Sequence, residues 1–328
     1  MDSRELLVFI TLCAILMCLI VVLSIVSIVV ITRKSNFTNP RNFMLIFLAT
    51  SDLAIGVLVI PNVIFLTLNN SLVGGYICKA CMFAEYMAVV AHTLTITALA
   101  LDRFLAIRFP MKSRILRRRE NYLFVIGAIM FLSLLYGLRG LLLYQPVEKE
   151  MTKGNTTETM YTCMVSDNTF NIHLGFVVVD FILLFILPSL VLIISNVKVS
   201  KTLRRTPFRT LSQSHASLHT KKKRRSMRLL LVMVVLFIIL NIPLHSFRLG
   251  ILFYNQDLSQ VSVIMHSFLI LSFLYYVSNV FLYGLMNNEI RYILYKFFRV
   301  GGLGGDSRDT DTPVHYSSRN LSRNANSS

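Results

Sequence analysis

This 328-residue chain has no tryptophan, only five cysteines, and half as many acidic residues as basic ones, 16 against 33. No cysteine lies beyond Cys163, so the C-terminal region offers no thiol for palmitoylation. No lysine occurs between residues 259 and 284, which removes a Schiff-base attachment for a retinal-type chromophore in the last apolar run. No His/Cys/Asp cluster has metal-ligand spacing and no nucleophile motif is present, so neither an enzyme nor a bound cofactor is expected. No internal repeat marks a transporter, and the helix-breaking prolines 61, 188 and 243 are placed without symmetry.

What the chain has instead is apolar length. It is 55% hydrophobic, with a mean hydropathy of +0.64. Seven apolar runs stand at roughly 6–31, 43–68, 76–107, 122–144, 172–198, 228–254 and 259–284. Each exceeds the ~20 residues a helix needs to cross hydrocarbon. The fold class is therefore an all-α membrane protein, a seven-transmembrane helix bundle over residues 6–284. Arg139 interrupts the fourth run near its end, where snorkelling to the interface is the expected placement. The first run is too long for a signal peptide and lacks a basic leader, so it should act as an uncleaved anchor with residues 1–5 outside.

The net charge of +17 is a topology signal rather than a nucleic-acid signal. The loops at 32–41, 102–121 and 196–228 and the region from 284 onward carry 27 of the 33 basic residues. The intervening loops are poor in them, and 145–171 holds Glu148, Glu150, Glu158 and Asp167. This positive-inside pattern places the amino terminus outside and the carboxyl terminus in the cytosol. Lys221, Lys222, Lys223, Arg224 and Arg225 also suit an anionic lipid surface, and nucleic acid is not an expected partner.

Cys13, Cys18 and Cys81 fall within runs and read as packed thiols. Cys78 and Cys163 lie on the outer, oxidising side, where a bridge between them is favoured, and Cys81 is the competing partner. Asn155-Thr156-Thr157 in the same loop is a glycosylation acceptor.

The third run carries the most chemistry. From Glu85 to His92 is seven steps and from His92 to Arg103 eleven. At about 100° per residue both return to one face within about 20°. Three ionisable side chains therefore form a stripe through the membrane, and such groups normally face a bundle interior or a cavity. A stripe joining the two sides suggests signalling or transport rather than anchoring.

Asp52 sits in Ser51-Asp52-Leu53, and Cys78 precedes the triplet Asp102-Arg103-Phe104 by 24 positions. Pro188, Phe237 with Pro243, and Asn279 with Tyr283 follow in order, then an amphipathic stretch at 287–298. With these elements, residues 10–300 resemble the rhodopsin-like (class A) G-protein-coupled receptor family, in a divergent member closest to amine and adenosine types. The departures are Ser24 for the usual Asn, Met130 and Asn241 for Trp, Asn196 for Tyr and Val280 for Pro.

The resemblance implies an extracellular ligand bound among Glu85, Val89, Asp180, Asn241, His245 and Arg248. Two carboxylates facing one cavity suit a small cationic amine or diamine. The alternatives are a purine, peptide or other ligand, Arg248 paired internally with Glu85 or Asp180, or a decoy that no longer couples. It also implies that Asp102, Arg103 and Phe104 meet a heterotrimeric G protein, with Asp52, His92, Phe237, Pro243, Asn279 and Tyr283 as the activation switch. Relatives commonly offer a serine where His92 stands, and sodium near Asp52. Imidazole is a poor ligand for that hard cation, so a direct His92–Asp52 bond is expected in its place. Relatives often hold the arginine with an acid at the base of span six. Residues 221–225 contain none, so noticeable basal signalling is expected.

An amphipathic surface helix is expected over 285–299 and a disordered cytoplasmic tail over 300–328. Ser226 and Ser322 follow basic residues and suit kinases, and tail phosphates suit an arrestin-like partner.

Overall fold

A computed structural model describes residues 3–34, 41–68, 75–109, 111, 118–153, 156–205, 214–251 and 258–286. The surface helix and tail expected beyond 286, and the acceptor Asn155, lie outside these residues. So do the side chains of Tyr283 and of residues 221–225.

Among the described residues, seven helices are long and apolar enough to cross a membrane: Ser3–Arg33, Asn42–Thr67, Tyr76–Ala106, Arg119–Leu143, Phe170–Val199, Leu231–Gly250 and Val263–Leu282. We number them spans one to seven. Polar groups are turned inward. Ser24, Asp52, His92, Ser133 and Asn279 are buried, whereas Phe124, Phe131 and Leu142 stand exposed on span four. This inversion is stable only when the outer surface meets lipid. Span three is the central one, with 56% of its apolar window buried against 22% for span one.

Two prolines reshape their helices. Span two runs as Arg41–Ala54, a π-helical turn Ile55–Val59, then Ile60–Thr67, with Pro61 just after the turn. Span five repeats the device: Phe170–Asp180, a π-turn Phe181–Ile186, then Leu187–Arg205, with Pro188 just after it. A proline ring crowds the carbonyl four residues earlier and has no N–H to offer it. The wider turn relieves that conflict, and the Ile60 N–H instead reaches the Ile55 carbonyl and the Leu187 N–H the Ile182 carbonyl. Pro243 lies inside the continuous helix Ser214–Gly250.

Spans three and four approach closely at two glycines. A side chain on Gly137 would touch the Phe83 ring, and one on Gly140 would overlap the backbone of Met82 and Phe83. Small residues permit such helix approach in membranes.

Between spans four and five lies a two-stranded hairpin. Strand β1 (Tyr144–Lys153) pairs antiparallel with β2 (Thr156–Val165), in a register that sets Tyr144 opposite Val165. Cys163 on β2 is bonded to Cys78 at the start of span three, with the Cα atoms 5.6 Å apart. Cys81 stays free.

Candidate functional site

A cavity of about 760 Å³ opens at the end of the bundle that holds the disulfide. Glu85, Tyr86, Asp180, His245 and Arg248 line it, together with Tyr144 from the hairpin. A smaller space of about 70 Å³ continues beneath it, lined by Val89, Phe237 and Asn241 as well as Glu85 and Arg248. Every residue predicted for ligand contact therefore faces one of these two spaces.

Their bonding differs from expectation. Arg139 does not snorkel: it is 4% exposed and turns into the bundle. Its guanidinium donates to both Asp180 oxygens at 2.7 Å, in the two-pronged geometry that suits this pair. Tyr136 Oη also donates to Asp180 and accepts from Arg139 Nη1 at 2.9 Å. The guanidinium stacks 3.6 Å from the Tyr86 ring centroid, with Phe176 at 5.0 Å. Asp180 therefore lines the cavity with its charge already matched. A ligand with two cationic ends does not find two free carboxylates here.

Glu85 keeps a looser setting. Its Oε2 accepts from Asn62 Nδ2 at 3.1 Å, and Asn62 stands just past the π-turn of span two. Arg248 makes no hydrogen bond or direct ion pair among the described residues, and its charge acts on Glu85 from a longer distance. Tyr86 and Tyr144 join hydroxyl to hydroxyl at 2.7 Å. Burial and the neighbouring Tyr86 push the Tyr144 phenol well above its ordinary value, so it stays protonated at physiological pH. His245 stacks on Phe185 with centroids 5.3 Å apart. Asn241 Nδ2 donates to the Phe237 carbonyl at 2.9 Å, and its Oδ1 accepts from Ser272 Oγ at 3.0 Å.

Below this floor the bundle is tied through a polar core. His92 Nδ1 lies 2.8 Å from Asp52 Oδ1, both side chains being 1% exposed. The two groups thus meet directly, as expected, at a hydrogen-bonding distance. On the other side, His92 Nε2 reaches Tyr275 Oη at 3.3 Å and Asn279 Nδ2 at 3.4 Å. Phe237 packs edge-on against Tyr275. With His92 against its carboxylate, Asp52 has little room for a hard cation. The thermal midpoint of the purified protein is therefore expected to match in sodium chloride and in N-methylglucamine chloride at equal ionic strength. A sodium-specific rise overturns this, and His92→Ser is the variant in which such a rise is expected.

At the opposite end, Tyr122 Oη donates to Asp102 at 2.7 Å, joining spans three and four. Arg103 lines a small inner space with Asn196, Val199 and Met233. Phe104 carries the Lys198 ammonium 5.6 Å from its ring centroid.

Sequence reasoning missed Asn62, Tyr86, Tyr136, Tyr144 and Arg139 as members of the site. One signal was present: Tyr136 and Arg139 are three residues apart, hence on one helix face.

Seven spans around a polar core, a charged cavity at one end and an arginine at the other define a membrane receptor. The chain belongs to the family described as 7 transmembrane receptor (rhodopsin family), which residues 23–281 match. It is 27% identical to galanin receptor 2a of Danio rerio over 267 residues, 80% of this chain and 68% of that receptor. It is 27% identical to galanin receptor type 2 of Homo sapiens over 235 residues, 71% of this chain and 57% of that one. Identity to neuropeptide FF receptor 2 of Mus musculus is 24% over 287 residues, covering 82% and 64%. The chain thus spans between 57% and 68% of the length of these relatives. None of these three carries an amine in its name, so the expected amine ligand gains no support from them.

Proposed function

We propose that this chain is a plasma-membrane receptor that binds an extracellular peptide in the 760 Å³ cavity and activates a heterotrimeric G protein. The observation that carries the peptide reading is the Arg139–Asp180 pair. Among the described residues it leaves Glu85 as the one carboxylate of the cavity lining with no direct ion pair, where a diamine needs two. A compact amine would also leave most of the cavity unfilled. The relatives named for galanin and for a neuropeptide favour the same choice.

The amino terminus faces outward and the carboxyl terminus the cytosol, by the distribution of basic residues. Asp102, Arg103 and Phe104 then meet the G protein, and Asp52, His92, Phe237, Pro243, Asn279 and Tyr283 relay between the two ends. Kinases and an arrestin-like protein act on the same inner face. Arg103 is suited to the effector contact because a guanidinium can exchange one acceptor for another without losing its charge.

The test is a screen of peptides, amines and purines on cells expressing the receptor with a panel of G proteins. Peptides are expected to raise the G-protein signal. Arg103→Ala is expected to abolish that signal at unchanged surface expression while peptide binding persists. Activation by amines alone overturns the ligand reading. Peptide binding without any G-protein signal overturns the coupling and identifies a decoy.

A further inference from the structure

Among the described residues, the four fully charged side chains lining the outer cavity divide into two pairs. Arg139 and Asp180 satisfy one another at 2.7 Å, and their charges cancel. Glu85 and Arg248 line the same two spaces but form no ion pair together among the described residues. Among the described residues Glu85 accepts a hydrogen bond from the neutral amide of Asn62, and Arg248 makes no hydrogen bond. They act on one another only across the cavity, and opposite charges partly withdrawn from water without direct contact are a costly arrangement for a receptor alone. It becomes favourable when a ligand supplies both counter-charges.

Resting on the peptide reading above, we infer that the cavity selects a peptide by two opposite charges: a carboxylate on Arg248 and an ammonium or guanidinium on Glu85. A ligand carrying only a cation would meet Glu85 but bring its charge near Arg248, which repels it. A purely anionic ligand meets the converse problem. Only a ligand with both signs matches each side chain, and the planar fork of Arg248 fits a carboxylate through two parallel hydrogen bonds. The neutral part of the ligand has Tyr86, Tyr144, Phe170 and Leu269 to pack against. His245 is occupied with the Phe185 ring, and His266 bonds Thr67 Oγ1 at 3.1 Å. The third histidine of the described lining, His173, lies edge-on to Tyr144.

The carboxylate has two sources, a peptide C-terminus or an Asp/Glu side chain, and so has the cation, an N-terminus or a Lys/Arg side chain. The probe is a library of short synthetic peptides. Each is made with a free or amidated C-terminus and a free or acetylated N-terminus, with and without acidic and basic residues. G-protein activation is read in cells and thermal shift on the purified full-length receptor.

On the wild type, neutralising the essential carboxylate is expected to lower potency by about 30-fold or more, and so is neutralising the essential cation. Whether amidation or side-chain replacement does this identifies the source. Arg248→Gln is expected to lose a similar factor and to stop distinguishing the carboxylate form from its neutral analogue, while still distinguishing the cation. Glu85→Gln is expected to behave in the converse way. Arg248→Lys keeps the charge and is expected to recover part of the response, which separates lost recognition from lost folding. Because neutralised peptides are compared on the wild-type receptor, the result does not depend on any variant folding.

Peptides that act equally well with either charge removed overturn the inference and leave the peptide reading standing. So does charge sensitivity unchanged in both Glu85→Gln and Arg248→Gln. Activation by amines and by no peptide overturns the peptide reading itself, and the inference with it.

Discussion

Asp180→Asn is expected to lower the stability of the receptor by about 3–5 kcal/mol, read as a large fall in thermal midpoint in detergent and in surface expression. The reason is what it leaves behind. Arg139 is 4% exposed, and Asp180 supplies both of its bonds to a charged acceptor, with the Tyr136 hydroxyl as a third, neutral one. Its Nε has no hydrogen-bond partner among the described residues, and the rings of Tyr86, Tyr136 and Phe176 lie beside it. An asparagine keeps one acceptor oxygen but no charge, so the guanidinium stays buried against a neutral partner. Arg139→Gln is expected to be as harmful, stranding the carboxylate. The double replacement Arg139→Leu with Asp180→Leu is expected to recover much of the loss, since a buried pair is often replaceable by packing although neither half tolerates loss of the other. An Asp180→Asn receptor as stable as the wild type would refute this account. One practical consequence concerns ligand mapping: a lost response in Asp180→Asn reports on the joint between spans four and five before it reports on any ligand.

Gly140→Ala is the second large effect expected. An added Cβ would stand 2.4 Å from the Phe83 nitrogen, 2.5 Å from the Met82 carbonyl carbon and 2.8 Å from the Phe83 Cα. All three are backbone atoms of span three, so no side chain can swing aside and the two helices must separate. Overpacking of this kind costs about 1–3 kcal/mol and sometimes more. Here the separation also moves the segment that carries Glu85 and Tyr86, so ligand response should fall further than stability alone accounts for. Gly137→Ala is the milder comparison, since its nearest contacts at 3.1 Å include the Phe83 ring, which has some freedom to shift. Gly127→Ala is the control: nothing lies within 4 Å of its added carbon, and a neutral or slightly positive change is expected. A thermal-midpoint series in which all three alanines behave alike would show that helix approach does not set the cost.

The seven spans were legible because hydrocarbon imposes a length that composition alone reveals. Residues 43–68 and 172–198 were read as single spans, and the described helices agree with both. The inward stripe of span three was legible too, because its spacing matches a helical repeat. Glu85 and His92 both turn to the interior, and Arg103 lines the inner space.

What escaped was which side chain answers which. Depth can be counted along one helix, whereas partnership depends on rotation about several. Arg139 near a span end is compatible with either the interface or the interior. The choice is made by Asp180, Phe176 and Tyr86, which come from other spans. The hairpin was hidden for a different reason. Its strands do not alternate clearly between polar and apolar, although the two residues between them, Gly154-Asn155, are a hairpin-turn pair that could have signalled it, and Cys163 on β2 is tied to Cys78.

The two π-turns bear on how positions in this chain may be compared with those of other chains. Each holds one residue more than an α-helical turn of the same rise, so residues beyond it are rotated by about 100° from where simple counting puts them. Asn62 lies past such a turn from Asp52, and Asp180 is separated by one from Pro188. In spans two and five, then, a one-residue gap against a chain that lacks the turn is the correct correspondence. An ungapped match would equate side chains that point in different directions.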